Sequence, residues 1–145
     1  SRTVVLWNLA ADPLNDPHTD NGGCPSCQGA LTIDGDSATR NLAYYVIAHA
    51  SQFVRPGSVR IASTAPGDRT VTLGEDEQRP KVYRAQITEH ADVAPNAAFR
   101  TPDGKIVLIV ANDSWSRRSI SVQYNGRYAE LNLAPGATGT FVWDE

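Results

Sequence analysis

Trp7 and Asn8 are the first residues of the chain whose side chains could bind a ligand. The residues before them form a continuous apolar run, which predicts a strand buried on both faces with this pair at its carboxyl end. An indole can stack on the C–H face of a sugar ring, and an amide can bond to hydroxyl groups. A core tryptophan beside a turn-capping asparagine is an equally good interpretation.

Cys24 and Cys27 form a Cys-x-x-Cys motif inside a loop, residues 11–29, that is rich in proline, glycine, asparagine and aspartate. A redox pair normally opens a helix that lowers the thiolate pKa, but glycines flank this motif on both sides. A zinc site needs further ligands, and His18 is the only candidate nearby. These points favour a small structural disulfide and an oxidising, secreted compartment. Reduced cysteines, a metal site and a redox pair remain as alternatives.

Catalytic groups are harder to find in this sequence. The acidic run 75–77 is typical of a solvated loop, the Asp-Gly-Asp triplet 34–36 is typical of a turn rather than a calcium site, and His49 is predicted to be a packed core residue. No nucleophile elbow and no glycine-rich phosphate loop is present. The sequence offers binding groups without an acid, a base or a nucleophile, and it predicts no metal site and no cofactor.

Composition excludes several classes of protein. With 41% hydrophobic and 20% charged residues, the 145-residue chain is globular and about one domain long. Its net charge of −3 gives nucleic acid no electrostatic reason to bind. No apolar run is long enough to cross a membrane. The absence of methionine indicates either that an N-terminal segment was removed or that the chain is a piece of a longer one.

The elements that would position these residues fall into two groups. Residues 1–53 predict a strand, the long loop, a short strand over 30–34 and a helix over 40–53 capped by Thr39, which together make one unit of an α/β fold. The remainder predicts short strands joined by tight turns, which is typical of an antiparallel sandwich or barrel. These strands are 58–63, 82–88, 97–100, 105–111, 119–124, 127–133 and 138–143.

The predicted first strand lacks neighbours within this sequence. A parallel strand with two apolar faces needs partner strands on both edges, and an antiparallel sandwich does not supply them. We therefore expect residues 3–53 to complete a sheet built by other polypeptide.

Several motifs in register resemble glycoside hydrolase family 30, the glucosylceramidase-like enzymes. The resemblance begins with Val-Leu-Trp-Asn-Leu-Ala-Ala-Asp-Pro at 5–13 and Gly-Gly-Cys-Pro-Ser-Cys-Gln-Gly at 22–29, and it covers nearly the whole chain. The other matching segments are 41–45, 49–58, 103–112 and 135–141. At 49–51, His-Ala-Ser departs from the usual family run.

The resemblance implies a mainly β chain, an antiparallel β-sandwich preceded by one strand-loop-helix unit of a (β/α)8 barrel. Residues 1–56 would be that last barrel unit and residues 57–145 the sandwich domain. The family's two catalytic glutamates belong to the fourth and seventh barrel strands, upstream of this sequence. What carries over is a sugar-binding wall at Trp7 with Asn8, bordered by the loop at His18 and Asn21.

The chain is therefore predicted to be the C-terminal portion of a secreted or periplasmic retaining β-glycosidase, inactive by itself. Its partners would be a β-linked carbohydrate and the N-terminal remainder of the enzyme, and the missing methionine is read as the mark of a fragment. The alternative is a non-catalytic carbohydrate-binding or structural β-sandwich module. Such a module needs an exposed aromatic platform, for which Tyr83, Trp115, Tyr124 and Tyr128 are candidates.

Overall fold

The computed structural model describes residues 5, 7–17, 24, 26–64, 69–76, 79–89 and 94–145, with the side chains of 69–76 and 79–89 left out. Two compact units make up the chain, Ser1–Phe53 and Val54–Glu145. The chain is mainly β with antiparallel sheets, which confirms the predicted fold class.

Eleven strands and one helix occupy the described residues. They are, in chain order, β1 (Ala10–Ala11), β2 (Leu31–Asp34), β3 (Ser37–Arg40), α1 (Leu42–Ser51), β4 (Val59–Ile61), β5 (Arg69–Asp76), β6 (Arg79–Glu89), β7 (Asn96–Arg100), β8 (Lys105–Ala111), β9 (Arg118–Tyr124), β10 (Arg127–Leu133) and β11 (Thr138–Asp144).

The first unit is built on a three-stranded sheet in the order β1-β2-β3. β1 runs parallel to β2, and β2 turns back through Gly35, at φ 55°, into the antiparallel β3. The short strand and tight turn predicted over 30–35 are confirmed. β3 was not predicted, and it accounts for an error in the helix start: Thr39 pairs with Thr32 inside β3 instead of capping α1.

Asn41 precedes the first residue of α1 and holds the sheet to the helix start. Its backbone N–H donates to the carbonyl of Ala30 at 2.9 Å. Its side-chain amide donates to the carbonyl of Gly29 and to the hydroxyl of Thr32, both at 2.8 Å. The side chain therefore does not cap the helix but fixes the segment that pairs with β1.

The long first strand predicted within residues 1–10 is wrong for the residues described. Only Ala10 and Ala11 pair in β1, while Val5, Trp7 and Leu9 lie outside any strand and are 86%, 69% and 76% exposed. The physical reason is the missing neighbour: among the described residues, β1 pairs with β2 alone, so a longer strand would have an unpaired edge and uncovered faces.

The second unit contains a four-stranded antiparallel sheet in the order β11-β8-β7-β4 and two separate hairpins, β9–β10 and β5–β6. The hairpin β7–β8 and the type I′ hairpin β9–β10 are both confirmed. At the second turn Asn125 and Gly126 have φ of 47° and 76°, the left-handed values that a type I′ turn requires at both central positions.

The core of the second unit lies between the four-stranded sheet and the β9–β10 hairpin. β8 is the central strand, and both of its faces are covered, because Ile106 and Val107 are each 1% exposed. Each large aliphatic side chain buried here stabilises the fold by about 1.5–3 kcal/mol. The cluster comprises Ala94, Ala98, Leu108, Val110 and Leu133, against which Ile61, Ile120, Val122, Leu131, Phe141 and Trp143 pack.

The acidic run 75–77 is not the loop that was predicted. Glu75 and Asp76 lie in β5, where Glu75 pairs with Tyr83 of β6, and Glu77 lies outside the described residues. The pairing shifts register between Glu75 and Asp76. Acidic residues have low strand propensity, and for that reason their charge predicted a loop. In the structure, backbone pairing with β6 outweighs this low propensity.

Asn112 ties the layers of the second unit together. Its side chain is 1% exposed, and its amide nitrogen donates to the carbonyls of Ser116, Leu133 and Ala134 at 2.8, 3.2 and 2.9 Å. Its backbone N–H donates to the carbonyl of Ala137 at 2.8 Å. One residue thus joins the end of β8 to the end of β10 and to the approach to β11.

Replacing Asn112 by alanine should remove the buried amide that joins these three carbonyls, leave a cavity in its place and lower the free energy of unfolding by about 2–4 kcal/mol. The thermal midpoint of the chain should fall by about 8 °C or more. Asn132→Ala, on the exposed face of β10, is the control and should change stability by less than about 0.5 kcal/mol. Equal midpoints for the two variants would contradict the anchoring role.

Gly29→Ala should separate β1 from β2, since a Cβ at position 29 would lie 2.7 Å from the backbone nitrogen of Ala11 and 2.8 Å from the carbonyl carbon of Ala10. The amides of Ala30 and Leu31 donate to Asn8 and Leu9 at 3.2 and 3.0 Å, so their hydrogen exchange should speed up by about tenfold or more. Ser37→Ala is the control; exchange that stays slow in Gly29→Ala would count against the close approach.

Candidate functional site

Trp7 and Asn8 stand before β1, not at the carboxyl end of a strand as predicted. The indole of Trp7 is 69% exposed. Asn8 is partly buried, and its φ of 73° lies in the left-handed region that asparagine tolerates better than most residues. Its carbonyl accepts the N–H of Ala30 at 3.2 Å, so the backbone beside the indole is held to the sheet.

The loop that leaves β1 is organised by Asp12. Its carboxylate accepts the backbone N–H groups of Leu14 and Asp16, both at 2.8 Å, and its own N–H donates to the carbonyl of Asp16 at 2.8 Å. These bonds fold residues 12–16 into a compact turn. The Asp12 carboxylate therefore has a structural role in the turn.

Cys24 and Cys27 are joined in a disulfide, with their Cα atoms 5.3 Å apart. The bond takes up both sulfurs, so the zinc and free-thiol interpretations of the motif do not apply to this structure. His18 and Asn21, which were predicted to border the site, lie outside the described residues. Of the four predicted sugar contacts, the structure thus places Trp7 and Asn8.

The helix of the first unit presents apolar side chains without burying any of them. Leu42, Tyr45 and Val46 are 78%, 52% and 58% exposed, and α1 has no buried residue. His49 is partly buried rather than in a core, which corrects the prediction made for it. The edge of Tyr44 packs on Tyr45, and the guanidinium of Arg40 lies 4.9 Å from the Tyr44 ring centre.

Trp7 and Asn8 are side chains of the kind that bind a ligand. Residues 1–53 contain no glutamate. Within the part of the chain that the structure describes, no three metal-ligating side chains come together. No described helix has the length and apolar character needed to span a membrane. An exposed indole beside a side-chain amide suits a sugar ring, but these two groups do not supply an acid or a nucleophile.

The second unit has two open grooves between its layers, of about 750 and 770 Å³. The first lies between the hairpin and β11, where Tyr124 packs edge-on against Trp143 with ring centres 5.8 Å apart. The Tyr124 hydroxyl lies 3.3 Å from the Glu145 carboxylate; burial and this negative charge raise the pKa of Tyr124. The first groove is lined mainly by apolar and aromatic side chains, whereas the second is also lined by polar residues such as Asn96, Ser121 and Gln123.

The four aromatic candidates of the second unit differ in exposure. Trp115 is 99% exposed and Tyr128 is 71% exposed, whereas Tyr124 is partly buried against Trp143. The side chain of Tyr83 is not described. The sequence predicted Trp115 as a candidate for an aromatic platform but did not predict the ordered loop that contains it. The sequence signal for that loop is a single tryptophan within a short polar run after Asn112.

Comparisons with known proteins find similarity over most of the chain. Residues 82–141 match the sequence model of the glycosyl hydrolase family 30 beta sandwich domain. The endo-1,6-beta-D-glucanase of Neurospora crassa is 36% identical over 123 residues, 83% of this chain and 22% of that protein. Endo-1,6-beta-D-glucanase neg1 of Aspergillus fumigatus is 41% identical over 56 residues, 39% of this chain and 12% of that protein.

Solved structures share the fold. The endo-beta1,6-glucanase BT3312 superposes with a TM-score of 0.66 at 25% identity, covering 96% of this chain and 26% of that one. SrfJ from Salmonella typhimurium superposes with a TM-score of 0.68 at 23% identity, over the same shares. The chain thus spans about a quarter or less of the length of each of these relatives. The chain thus contains a glycosyl hydrolase family 30 beta sandwich domain, matched over residues 82–141, and over most of its length it is similar to an endo-1,6-beta-D-glucanase.

Proposed function

We propose that this chain is the C-terminal portion of a secreted retaining β-glycosidase that hydrolyses β-1,6-linked glucan. Residues 1–56 supply the last strand, loop and helix of its barrel together with a sugar-binding wall, and residues 57–145 brace the barrel. The linkage is taken from the names of the relatives, two of which are endo-1,6-beta-D-glucanases at 36% and 41% identity.

The observation that carries the proposal is the uncovered apolar surface of the first unit. Burying one large exposed apolar side chain of residues 1–53 against further polypeptide would stabilise the folded protein by about 1.5–3 kcal/mol. A neighbouring barrel strand would also pair the edge of β1 that β2 leaves open. Apart from Trp7 and the loop residue Leu14, these exposed side chains are Val5, Leu9, Ile33, Leu42, Tyr45, Val46 and Ile47.

The proposed reaction needs two carboxyl groups about 5–5.5 Å apart. One carboxylate attacks the anomeric carbon while the other, as an acid, protonates the departing glycosidic oxygen; water then releases the sugar from the enzyme. The family resemblance assigns these roles to glutamates upstream of Ser1. Trp7 stacks on the ring bound at the site, and Asn8 bonds to its hydroxyl groups.

The Cys24–Cys27 disulfide supports secretion, because such bonds persist in oxidising compartments and are rare in the cytosol. It lies in the loop that follows β1, the same loop of the sequence that contains His18 and Asn21. The enzyme's partners are then the β-linked glucan and the N-terminal remainder of the same protein.

The isolated 145-residue chain should not hydrolyse an aryl β-glucoside or a β-1,6-glucan, because both catalytic glutamates belong to the remainder of the enzyme. Reducing-sugar release at high enzyme concentration measures this. The full-length protein that contains the chain is the positive control and should release sugar from the glucan. Turnover by the isolated chain at a rate near that of the full-length protein would overturn the assignment of catalysis upstream.

Trp7→Ala in the full-length protein should lower kcat/KM on β-1,6-glucan by about 10- to 100-fold, which corresponds to about 1.4–2.7 kcal/mol of lost transition-state binding. Leu14→Ala, in the loop after β1 and 75% exposed, is the matched control and should change kcat/KM by less than about threefold. Steady-state kinetics on a soluble oligosaccharide makes the comparison. Equal losses in the two variants would show that Trp7 acts in packing and not in a sugar subsite.

A further inference from the structure

Trp115 is the most exposed large apolar side chain among the described residues, at 99%. Single exposed aliphatic residues are common on protein surfaces, but a fully exposed indole places the largest apolar side chain in water. The residue lies in the short connection between β8 and β9. The function proposed for the first unit does not use it.

The loop that carries Trp115 is rigidly built. The Asn112 amide donates to the carbonyl of Ser116 at 2.8 Å, and its oxygen accepts the hydroxyl of Ser114 at 2.7 Å. The oxygen of the same hydroxyl lies 3.0 Å from the carbonyl oxygen of Ser116 and accepts the Ser116 N–H at 3.4 Å, so its contacts span the tryptophan. Because the backbone on both sides of Trp115 is already ordered, a ligand binding there has little loop entropy to remove.

The surroundings of Trp115 are polar. Asp113, Ser116 and Arg117 are exposed, and together they offer acceptor and donor groups of the kind that bond to sugar hydroxyls. The loop contains no second large apolar residue. A protein interface typically surrounds its anchor tryptophan with further apolar side chains, so this pattern favours a hydroxyl-rich ligand.

We propose that Trp115 is a glucan-binding platform of the second unit, a binding site additional to Trp7. A pyranose ring stacks its C–H face on the indole, while the exposed side chains of Ser116 and Arg117 bond to its hydroxyl groups. The choice of β-1,6-linked glucan as the ligand rests on the proposed function; the platform itself rests on the exposed indole, the ordered loop and its polar flanks.

Affinity electrophoresis of the 145-residue chain in native gels containing soluble β-1,6-glucan tests the proposal. The glucan should retard the wild-type chain, and Trp115→Ala should weaken binding by about tenfold or more. Trp115→Phe keeps an aromatic face and should recover most of the affinity. Tyr128→Ala, which removes another exposed aromatic from the same unit, is the matched control and should bind like the wild type.

The thermal midpoint should be nearly the same in all of these variants, because the side chains of Trp115 and Tyr128 are largely exposed and their replacement removes little buried surface. A wild-type chain that the glucan does not retard overturns the platform, as does a Trp115→Ala variant that binds like the wild type. A variant that keeps glucan binding but loses association with the rest of the enzyme assigns Trp115 to a protein contact, and also overturns it.

Hydrolysis of the same glucan by the full-length protein is read separately. If hydrolysis fails while Trp115-dependent retardation persists, the proposed substrate is wrong and the platform stands. If hydrolysis succeeds and retardation is absent, the platform is wrong and the proposed function stands.

Discussion

The second unit depends on one buried amide. The four-stranded sheet and the β9–β10 hairpin contribute apolar faces that attract one another without direction, so burial alone does not set how the strand ends meet. The Asn112 side chain supplies that direction by donating to carbonyls in the β8–β9 loop and after β10. The same hydrogen bonds order the β8–β9 loop, in which the side chain of Trp115 is exposed to solvent. The buried Asn112 amide therefore also determines the conformation of an exposed loop.

The first unit shows the opposite balance. Asn41 and Gly29 give it a well-defined backbone, through hydrogen bonds at the start of α1 and a close approach of β1 to β2. Its apolar side chains nevertheless stay exposed on the helix and ahead of β1. Ordered backbone with uncovered apolar surface is what is expected of a segment shaped to complete a larger sheet. This contrast is why the proposed barrel unit and the sandwich have different roles.

The predictions succeeded where a local pattern carries its own physical cause. The Asn125-Gly126 turn was predicted because these two residue types tolerate left-handed φ values. The strand around Val107 was predicted because its residues form a continuous apolar run. Predictions failed where pairing decided the outcome. Thr39 was predicted to cap a helix, but it lies in β3 and pairs with Thr32. Glu75 was predicted to lie in a loop, but it lies in β5 and pairs with Tyr83. At the candidate site, Trp7 was identified by residue type, yet its position relative to β1 was wrong.

The sequence by itself determined the family motifs, the mainly β class and the absence of glutamate in residues 1–53, because these follow from residue identity and short-range pattern. Only the tertiary structure decided that β1 is two residues long, that Asn112 is an anchor and that Trp115 is exposed. Exposure and hydrogen bonding depend on which distant segments meet, and Asn112 and Ala134 are 22 residues apart in the chain. Such long-range partners leave no local pattern in the sequence, and they order the polar loop in which Trp115 is exposed.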